Sequence, residues 1–372
     1  MNFAISEEQK EMCNALKNYC KSLEWESKEF KLADWKKLAE FGLFGICVPE
    51  EYGGLGEKYL TAALLTETLG YVCENNGLIF AMNNHVWVAI ELISLFGSEE
   101  QKREYLPSMI EGLKIGAMAI TEADSGSDAY SMLTTGQNED GCIVLNGSKM
   151  FISNGTIADV FIVFAKSSAG ITAYIVDKYC EGFKVGKEIK KMGMDGCPMA
   201  EITFENCRIN TNKVLGREGG GKKIIQEALE IERGYEFASH IGVMQRIMEK
   251  CILYSRERVQ AGHMLSDYQA VSHKIADMKL GIEVARLLLY KYAWLKDKGK
   301  SAYLEASMFK LFCSETYMKT ALDAVQIFGA YGYTKEFGLE KEVRDAVAAK
   351  IYSGTNEIQK NTIFALAQLD CV

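Results

Sequence analysis

The sequence predicts an α+β protein in which a helical N-terminal domain, an antiparallel β domain and a C-terminal four-helix bundle follow one another. Two changes in the spacing of apolar residues predict this order. The helical period runs from residue 6 to about residue 114, short β-rich runs extend to about residue 221, and the helical period then returns. We therefore place three domains at residues 1–114, 115–221 and 222–372.

The N-terminal domain begins with a helix-initiation signal. Ser6 and Gln9 have the spacing of a capping box, and Met12, Leu16 and Tyr19 follow at helical intervals. Gly and Pro residues separate the later helical segments of this domain. Further helices are predicted at 32–43, 59–72, 77–96 and 98–112.

The middle segment has the composition of strands, without helices between them. The β-rich runs are 115–121, 142–145, 149–153, 160–165, 171–176 and 201–204. Because no helix alternates with these strands and no Gly-x-Gly-x-x-Gly follows one, a small antiparallel barrel or sandwich is predicted rather than a Rossmann fold. The glycine-rich run 216–221 fits either a phosphate cradle or a flexible connector.

The C-terminal part has long stretches of helical periodicity joined by short links, a pattern that predicts an antiparallel bundle. The predicted helices are 222–260, 267–298, 301–329 and 343–369.

The composition excludes several classes of protein. The chain has 372 residues, 48% of them hydrophobic, and a net charge of −8, which argues against nucleic acid or an anionic membrane as a partner. The 11 cysteines include no Cys-x-x-Cys pair, which favours reduced thiols, a cytoplasmic location and no metal site. The N-terminus does not resemble a signal peptide, and no run of about 18 apolar residues predicts a membrane span.

Four motifs occur in an order that is typical of one enzyme family. They are AITEADSGSD at 119–128, LNGSKMFISNG at 145–155, DAVQIFGAYG at 323–332 and IYSGTNEIQ at 351–359. Together with weaker matches near the N-terminus, they cover nearly the whole chain, and the sequence resembles the acyl-CoA dehydrogenase family. The resemblance implies the helix–β–helix fold predicted above, FAD as cofactor and a homotetramer with FAD sites built across subunits.

The resemblance also assigns residues to FAD. Backbone amides and hydroxyl groups suit the polar edge of a flavin, and an aromatic side chain suits its ring face. The implied cofactor residues are Met118, Ile120, Thr121, Ser127, Phe151, Ser153, Arg258, Gln326, Gly329, Thr355 and Asn356. The sequence departs from the family at Ala261, where Phe is usual, and the smaller side chain leaves room near the flavin.

The expected reaction needs a carboxylate that removes the α proton of a thioester while hydride leaves the β carbon. Most family members have Glu directly before the Gly-Thr of the last motif, and this chain has Ser353 there. The isovaleryl-CoA type instead carries the base before an arginine on the first helix of the bundle. By that resemblance Glu232 is the predicted base, and Arg233 holds the pantetheine arm or orients the site. The alternative is that Glu232 is a solvated helix charge paired with its neighbours.

Glu236 lies one helical turn beyond Glu232, on the same face. Two neighbouring carboxylates repel one another, and a cationic group on the substrate would relieve that repulsion. We therefore predict that Glu236 lines the acyl pocket and contacts an amine. The alternative is that the helix turns Glu236 toward water.

Softer similarities favour one branch of the family, the dehydrogenases that oxidise prolyl groups on carrier proteins toward pyrrole-2-carboxyl units. They lie at 197–201, 270–280, Ser353 and His85. Ser353 and His85 are accordingly predicted to contact substrate, although a lone histidine on an apolar helix is also typical of a core residue. The predicted electron acceptor is an electron-transfer flavoprotein or O2.

Three other functions come from the sequence. One is a relative within the family that acts as an oxidase or monooxygenase and reacts directly with O2. A short or branched-chain acyl-CoA dehydrogenase would use Glu232 equally well but leaves Glu236 unexplained. A catalytically silent assembly protein is disfavoured by the intact flavin motifs.

Overall fold

A computed structural model describes residues 5–23, 25 and 29–369. The N-terminal part is helical, as predicted. Its helices are α1 (Glu7–Ser22), α2 (Leu32–Glu40), α3 (Tyr59–Val72), α4 (Asn76–His85), α5 (Glu91–Phe96) and α6 (Glu99–Ile110). The predicted capping box is present at α1, where the Ser6 hydroxyl accepts from the Gln9 backbone and the Gln9 side chain accepts from Ser6 N.

A π-helical turn, Val86–Ile90, joins α4 to α5, so Asn76–Phe96 forms one continuous helical stretch. It is long and apolar enough to cross a membrane by length and composition, although the sequence predicted no membrane span. However, 89% of its most apolar window is buried inside the protein. This burial is typical of the central helix of a folded core.

The middle part is one extensive sheet. Its strands are β1 (Gly116–Ala119), β2 (Thr135–Glu139), β3 (Cys142–Ser153), β4 (Val160–Ser167), β5 (Gly170–Asp177), β6 (Phe183–Glu188), β7 (Met199–Asn210) and β8 (Val214–Leu215). The order across the sheet is β6-β7-β3-β2-β4-β5-β8, and β1 also pairs with β4. Most neighbours are antiparallel, as predicted.

The sheet differs from the prediction in two respects. β1 pairs with β4 in parallel, and Thr135 of β2 makes one parallel pairing with Lys166, so the sheet is mixed. The long connection that contains β2 and β3 allows the chain to return in the same direction. β2 and β6 were missed because their residues are mostly polar and exposed, without the alternation that marks a half-buried strand.

The C-terminal part is a helical bundle that is divided more finely than predicted. Its helices are α7 (Gly221–Tyr235), α8 (Ala238–Glu257), α9 (Gln269–Asp297), α10 (Tyr303–Phe328), α11 (Ala330–Tyr333), α12 (Leu339–Ala349) and α13 (Asn356–Leu369). The first predicted helix is broken after Tyr235, and the last one is broken between Ala349 and Asn356. Both breaks adjoin the candidate active site.

Two glycines bring α3 and α8 into close contact. A Cβ atom on Gly70 would lie 1.9 Å from the Ser239 carbonyl oxygen, and one on Gly242 would lie 2.0 Å from the Glu67 carbonyl oxygen. No larger residue fits at either position without separating the helices. This contact fixes the bundle against the N-terminal domain next to the end of α7.

Candidate active site

The end of α7 carries two buried carboxyl groups in contact with each other. Glu232 is 8% exposed and Glu236 is 1% exposed, and their side chains lie within hydrogen-bonding contact. Their i, i+4 spacing places them on one helix face. The structure therefore excludes the alternatives in which either side chain is a solvated helix charge.

Burial raises the pKa of both carboxyl groups. The pKa of Glu236 lies well above its usual range because of burial and the neighbouring Glu232 charge. Burial also raises the pKa of Glu232, while its polar neighbours Ser353 and Glu236 and the Arg233 charge oppose that rise. The two carboxyl groups titrate as a coupled pair, and the pKa of Glu236 is the one raised well above its usual range.

A strained loop between α12 and α13 brings Ser353 to this pair. Ser353 has a φ of 58° and Gly354 a φ of 83°, both in the left-handed region. The Ser353 hydroxyl donates to Glu236 Oε2 at 3.2 Å. The loop carbonyl of Ser353 accepts from Arg233 Nε at 3.0 Å and from Gln359 Nε2 at 3.2 Å, which hold the loop in place.

Arg233 is buried and faces this loop. Its NH1 group donates to the Ser307 hydroxyl at 3.4 Å, and the guanidinium lies 4.9 Å from the centre of the Tyr303 ring. These contacts favour the second of its two predicted roles, orientation of the site.

Two polar residues that were not predicted from the sequence lie beside this cluster. Asn84 on α4 donates to Glu236 Oε1 at 2.7 Å and to the Phe80 carbonyl at 2.9 Å. Lys310 on α10 is fully buried, and burial together with the Arg233 charge lowers its pKa to about 7. Both residues interrupt strongly apolar helical stretches, a signal that could have marked them.

His85, a predicted substrate contact, lies elsewhere. It is 0% exposed and packs against the rings of Trp35 and Phe44. Gly116 N donates to its Nδ1 at 2.9 Å, and its Nε2 lies 3.0 Å from the Met109 carbonyl oxygen, so both ring nitrogens are occupied. Burial lowers its pKa to about 4. His85 therefore links α4 to β1, and neither of its ring nitrogens is left to contact the substrate.

The predicted flavin segments of the β domain lie side by side. Met150 N donates to the Thr121 carbonyl at 2.8 Å, which brings the 119–128 motif beside β3. Lys149 Nζ donates to Glu122 Oε1 at 2.7 Å and to the Ile120 carbonyl at 3.0 Å, deep in the interior. This buried ion pair fixes the backbone that presents Ile120 and Thr121.

The exposed face of these segments fits a flavin. Phe151 is 56% exposed with a φ of 59°, an unusual position for a large aromatic residue without a ligand. Met118, Thr121 and Ser153 are partly exposed nearby, and Ser127 is exposed in the adjoining loop. Asn154, whose side chain donates to the Ala81 and Gly116 carbonyls, anchors the turn that follows Ser153.

The other predicted cofactor residues lie in two places. Arg258, Gln326 and Gly329 are exposed at the ends of α8 and α10, where Arg258 lies 5.8 Å from the Tyr331 ring. Since α8 starts two residues after Glu236 and its 20 residues rise about 30 Å, this group is remote from Glu232 within one chain. Such a location suits residues that reach a neighbouring subunit.

Asn356 and Thr355 follow the Ser353 loop. The Asn356 side chain is buried and accepts from Lys310 Nζ at 2.7 Å and from the Ser314 hydroxyl at 3.0 Å. It therefore anchors the loop and does not present its side chain to a cofactor. Thr355 is partly buried, and its hydroxyl accepts from Ile358 N at 3.3 Å.

Known proteins share this fold and these motifs. Residues 6–113, 117–207 and 219–367 match the N-terminal, middle and C-terminal domains of acyl-CoA dehydrogenases. The chain is 41% identical to an acyl-CoA dehydrogenase of Bacillus subtilis over 89% of its length and 88% of that protein. It is 36% identical to the L-prolyl-[peptidyl-carrier protein] dehydrogenase of Pseudomonas fluorescens, covering 91% of this chain and 90% of that one.

A solved structure gives the same result. The crystal structure of the prolyl acyl carrier protein oxidase AnaB superposes with a TM-score of 0.96 at 39% identity, covering 98% of this chain and 100% of that one. The chain thus belongs to the acyl-CoA dehydrogenase family, which confirms the predicted fold, the oxidoreductase class and FAD as the cofactor.

Proposed function

We propose that this protein oxidises the α–β bond of an aminoacyl thioester, a prolyl group tethered to a carrier protein, with Glu232 as the base. The observation that carries the proposal is the buried Glu232–Glu236 pair, combined with serine at the position of the usual family base. A carboxylate in this environment is more basic than one in water, which suits the removal of a weakly acidic α proton.

Each residue of the site has a distinct part. Glu232 takes the α proton, and the hydrogen bond from protonated Glu236 keeps Glu232 ionised before substrate arrives. Arg233 holds the Ser353 loop through the loop carbonyl, so that the backbone N–H of Ser353 can donate to the thioester oxygen. Met118, Thr121, Phe151 and Ser153 would hold the flavin of FAD, which would supply the acceptor for hydride from the β carbon.

Two observations support a prolyl substrate over a plain acyl group. The relative from Pseudomonas and the AnaB structure are both named for prolyl groups on carrier proteins and match almost the full chain. In addition, a second buried carboxyl group has no evident use with an aliphatic acyl chain. The Bacillus relative, named simply an acyl-CoA dehydrogenase, makes a short acyl-CoA ester the competing substrate.

The test is anaerobic bleaching of the flavin in the purified holoenzyme. Prolyl-loaded carrier protein and isovaleryl-CoA are offered in parallel, and we expect bleaching by the carrier substrate. Glu232→Gln should lower the bleaching rate by roughly 100- to 10,000-fold, the usual contribution of a general base.

Glu230→Gln is the matched control. Glu230 is another buried carboxylate of α7, but it accepts from Ala302 N at 3.1 Å and pairs with Lys296. This variant should bleach at the wild-type rate. Bleaching by isovaleryl-CoA alone would discard the prolyl assignment, and unchanged bleaching in Glu232→Gln would discard the base.

The electron acceptor and the assembly belong to the same proposal. We infer that the reduced flavin transfers its electrons to an electron-transfer flavoprotein or to O2. Recovery of the bleached flavin in air would identify O2 as the acceptor. Exposed leucines on the bundle, Leu280 and Leu287 of α9 and Leu322 of α10, support a homotetramer. Light scattering of the holoenzyme tests this, because a monomer would leave these side chains in water.

We also propose a cytoplasmic location for this protein. Ten of the 11 cysteines lie in the described part of the chain and all ten are free, which fits a reducing compartment. Cell fractionation tests it.

A further inference from the structure

The Glu236 carboxyl group is held rigidly from two sides. Asn84 Nδ2 donates to Oε1 at 2.7 Å and the Ser353 hydroxyl donates to Oε2 at 3.2 Å. The Glu232 carboxyl is its third neighbour. Each oxygen of Glu236 thus has a neutral donor, and the side chain is fixed before any substrate arrives.

Among the described residues, no cation forms an ion pair with this carboxyl group. Within the described part of the chain Glu236 forms no ion pair; Lys310 is bound to Asn356 instead, and Arg233 to the Ser353 carbonyl. An ionised Glu236 would therefore have no ion-pair partner among the described residues.

The remaining titratable groups nearby are neutral at physiological pH. They come from α8, from the loop before α13 and from the segment before β7. Burial lowers the pKa of His240 to about 4, raises that of Cys197 to about 12 and raises that of Tyr352 well above its usual range. None of them can take the place of the missing cation.

We infer that Glu236 is the receptor for a cationic nitrogen on the α carbon of the acyl group and that Asn84 and Ser353 position it. We further infer that Glu236 carries a proton in the free enzyme, which the nitrogen displaces. This inference rests on the proposed function and deepens it. The proton balance is simple: a neutral carboxyl and an ammonium give a carboxylate–ammonium pair, and one proton passes to solvent. No other bond changes at this step.

The geometry of the acyl group supports the assignment. In a prolyl thioester the α carbon carries both the nitrogen and the proton that Glu232 removes. A group that contacts Glu232 therefore brings its nitrogen next to the adjacent carboxyl, which contacts Glu232 directly. An acyl-CoA without the amine would leave Glu236 protonated and unused.

The same arrangement explains the loss of the usual base at position 353. A glutamate at this position would place a third carboxylate beside two that already repel one another. Serine instead supplies a donor to Glu236 Oε2. Ser353 and Glu236 thus act together. The serine that replaces the usual glutamate at position 353 contributes to the specificity for the substrate.

The test compares two carrier-bound substrates that differ only at the nitrogen, prolyl and cyclopentanecarbonyl. For the wild-type holoenzyme we expect kcat/KM to favour the prolyl group. In Glu236→Gln this preference should fall by roughly 10- to 100-fold, the usual value of a hydrogen bond to a charged group. Asn84→Leu and Ser353→Ala should lower it by smaller factors.

Ser239→Ala is the matched control. Its hydroxyl donates to the Glu236 backbone carbonyl at 3.0 Å and not to the carboxyl group. This variant should keep the wild-type preference. A loss of preference here equal to that in Ser353→Ala would overturn the positioning role of Ser353.

Proton release is a second measurement that does not depend on turnover. The chemically reduced holoenzyme binds prolyl carrier without oxidising it, in weakly buffered, slightly acid solution with an indicator dye. We expect release of about one proton per site, and none with cyclopentanecarbonyl carrier or with Glu236→Gln.

The outcomes distinguish the inference about Glu236 from the proposed function. If prolyl carrier is oxidised but Glu236→Gln keeps the preference and no proton is released, the inference is overturned and the proposed function stands. If the wild-type enzyme binds and oxidises neither carrier substrate, the proposed function fails and the inference fails with it.

Discussion

Two buried carboxylate sites in this protein have opposite electrostatics. In the β domain Glu122 pairs with Lys149 and also accepts from Leu133 N and Thr134 N, and these bonds lower its pKa to about 2. At the end of α7 Glu236 faces a second carboxyl group and two neutral donors, and its pKa is raised. The first site is fully compensated by the protein, and the second is not.

This difference distinguishes a buried charge that stabilises the fold from a buried charge that serves function. A buried ion pair that is complete within the chain stabilises a local arrangement, here the backbone of the 119–128 motif beside β3. A buried carboxyl pair without its cation costs stability and persists where a ligand completes it. The comparison yields predictions with opposite signs at the two sites.

The largest expected effect on stability is at Lys149. Lys149→Met leaves Glu122 without its cation, and we expect a loss of about 3–5 kcal/mol in the free energy of unfolding, the usual cost of breaking a buried pair. Lys184→Met is the control, because its pair with Glu205 is exposed and should change stability by less than about 1 kcal/mol. Denaturant unfolding of both variants measures the difference. Equal effects would contradict the structural role of the Glu122 pair.

The opposite effect is expected at the carboxyl pair. Glu236→Gln removes the second carboxyl group of the buried pair while it keeps the shape of the side chain. We expect the free energy of unfolding at neutral pH to rise, because a raised pKa makes the folded state hold a proton that the unfolded state releases. Thermal unfolding of the variant and the wild-type protein gives the comparison. A variant that unfolds more easily at neutral pH would show that the pair stabilises the fold.

The dependence on pH sharpens the same contrast. The folded pKa of Glu236 is raised, so its unfavourable contribution is absent below the unfolded pKa of about 4.3 and grows as pH rises above it. The stability difference between Glu236→Gln and wild type should therefore widen from mildly acid to alkaline pH. For Glu122 the folded pKa of about 2 is depressed, so its stabilising contribution is full above the unfolded pKa of about 4.3 and is lost as pH falls through about 2. A difference that stays constant with pH at Glu236 would contradict the raised pKa.

The sequence predicted much of the fold because several elements have strong local signals. The capping box at Ser6 and the apolar period of 59–72 both correspond to observed helices. The breaks at the end of α7 and around Ser353 have weak sequence signals. Tertiary packing places them, and the polar strands β2 and β6 likewise depend on their neighbours in the sheet. The proposed domain boundary after residue 114 lies in the link between Ile110 and Gly116. The proposed boundary after residue 221 lies at the start of α7, which begins at Gly221.

The candidate site was predicted in part, for a physical reason. Glu232, Glu236 and Ser353 follow from motif resemblance and helix spacing, and the structure brings all three together. Asn84 comes from a helix that is distant in sequence, so its contact with Glu236 could not be inferred from spacing. His85 was predicted to contact substrate from motif similarity, but Gly116 N and the Met109 carbonyl occupy both of its ring nitrogens.

The most direct test of the account is the protonation state of Glu236. Infrared difference spectra between the wild-type holoenzyme and Glu236→Gln at neutral pH should show the carbonyl stretch of a protonated carboxyl group in the wild type alone. This band should disappear when prolyl carrier protein binds to the reduced enzyme. Identical spectra for the two proteins, or a band that persists with the prolyl ligand bound, would contradict a protonated Glu236 that receives the substrate nitrogen.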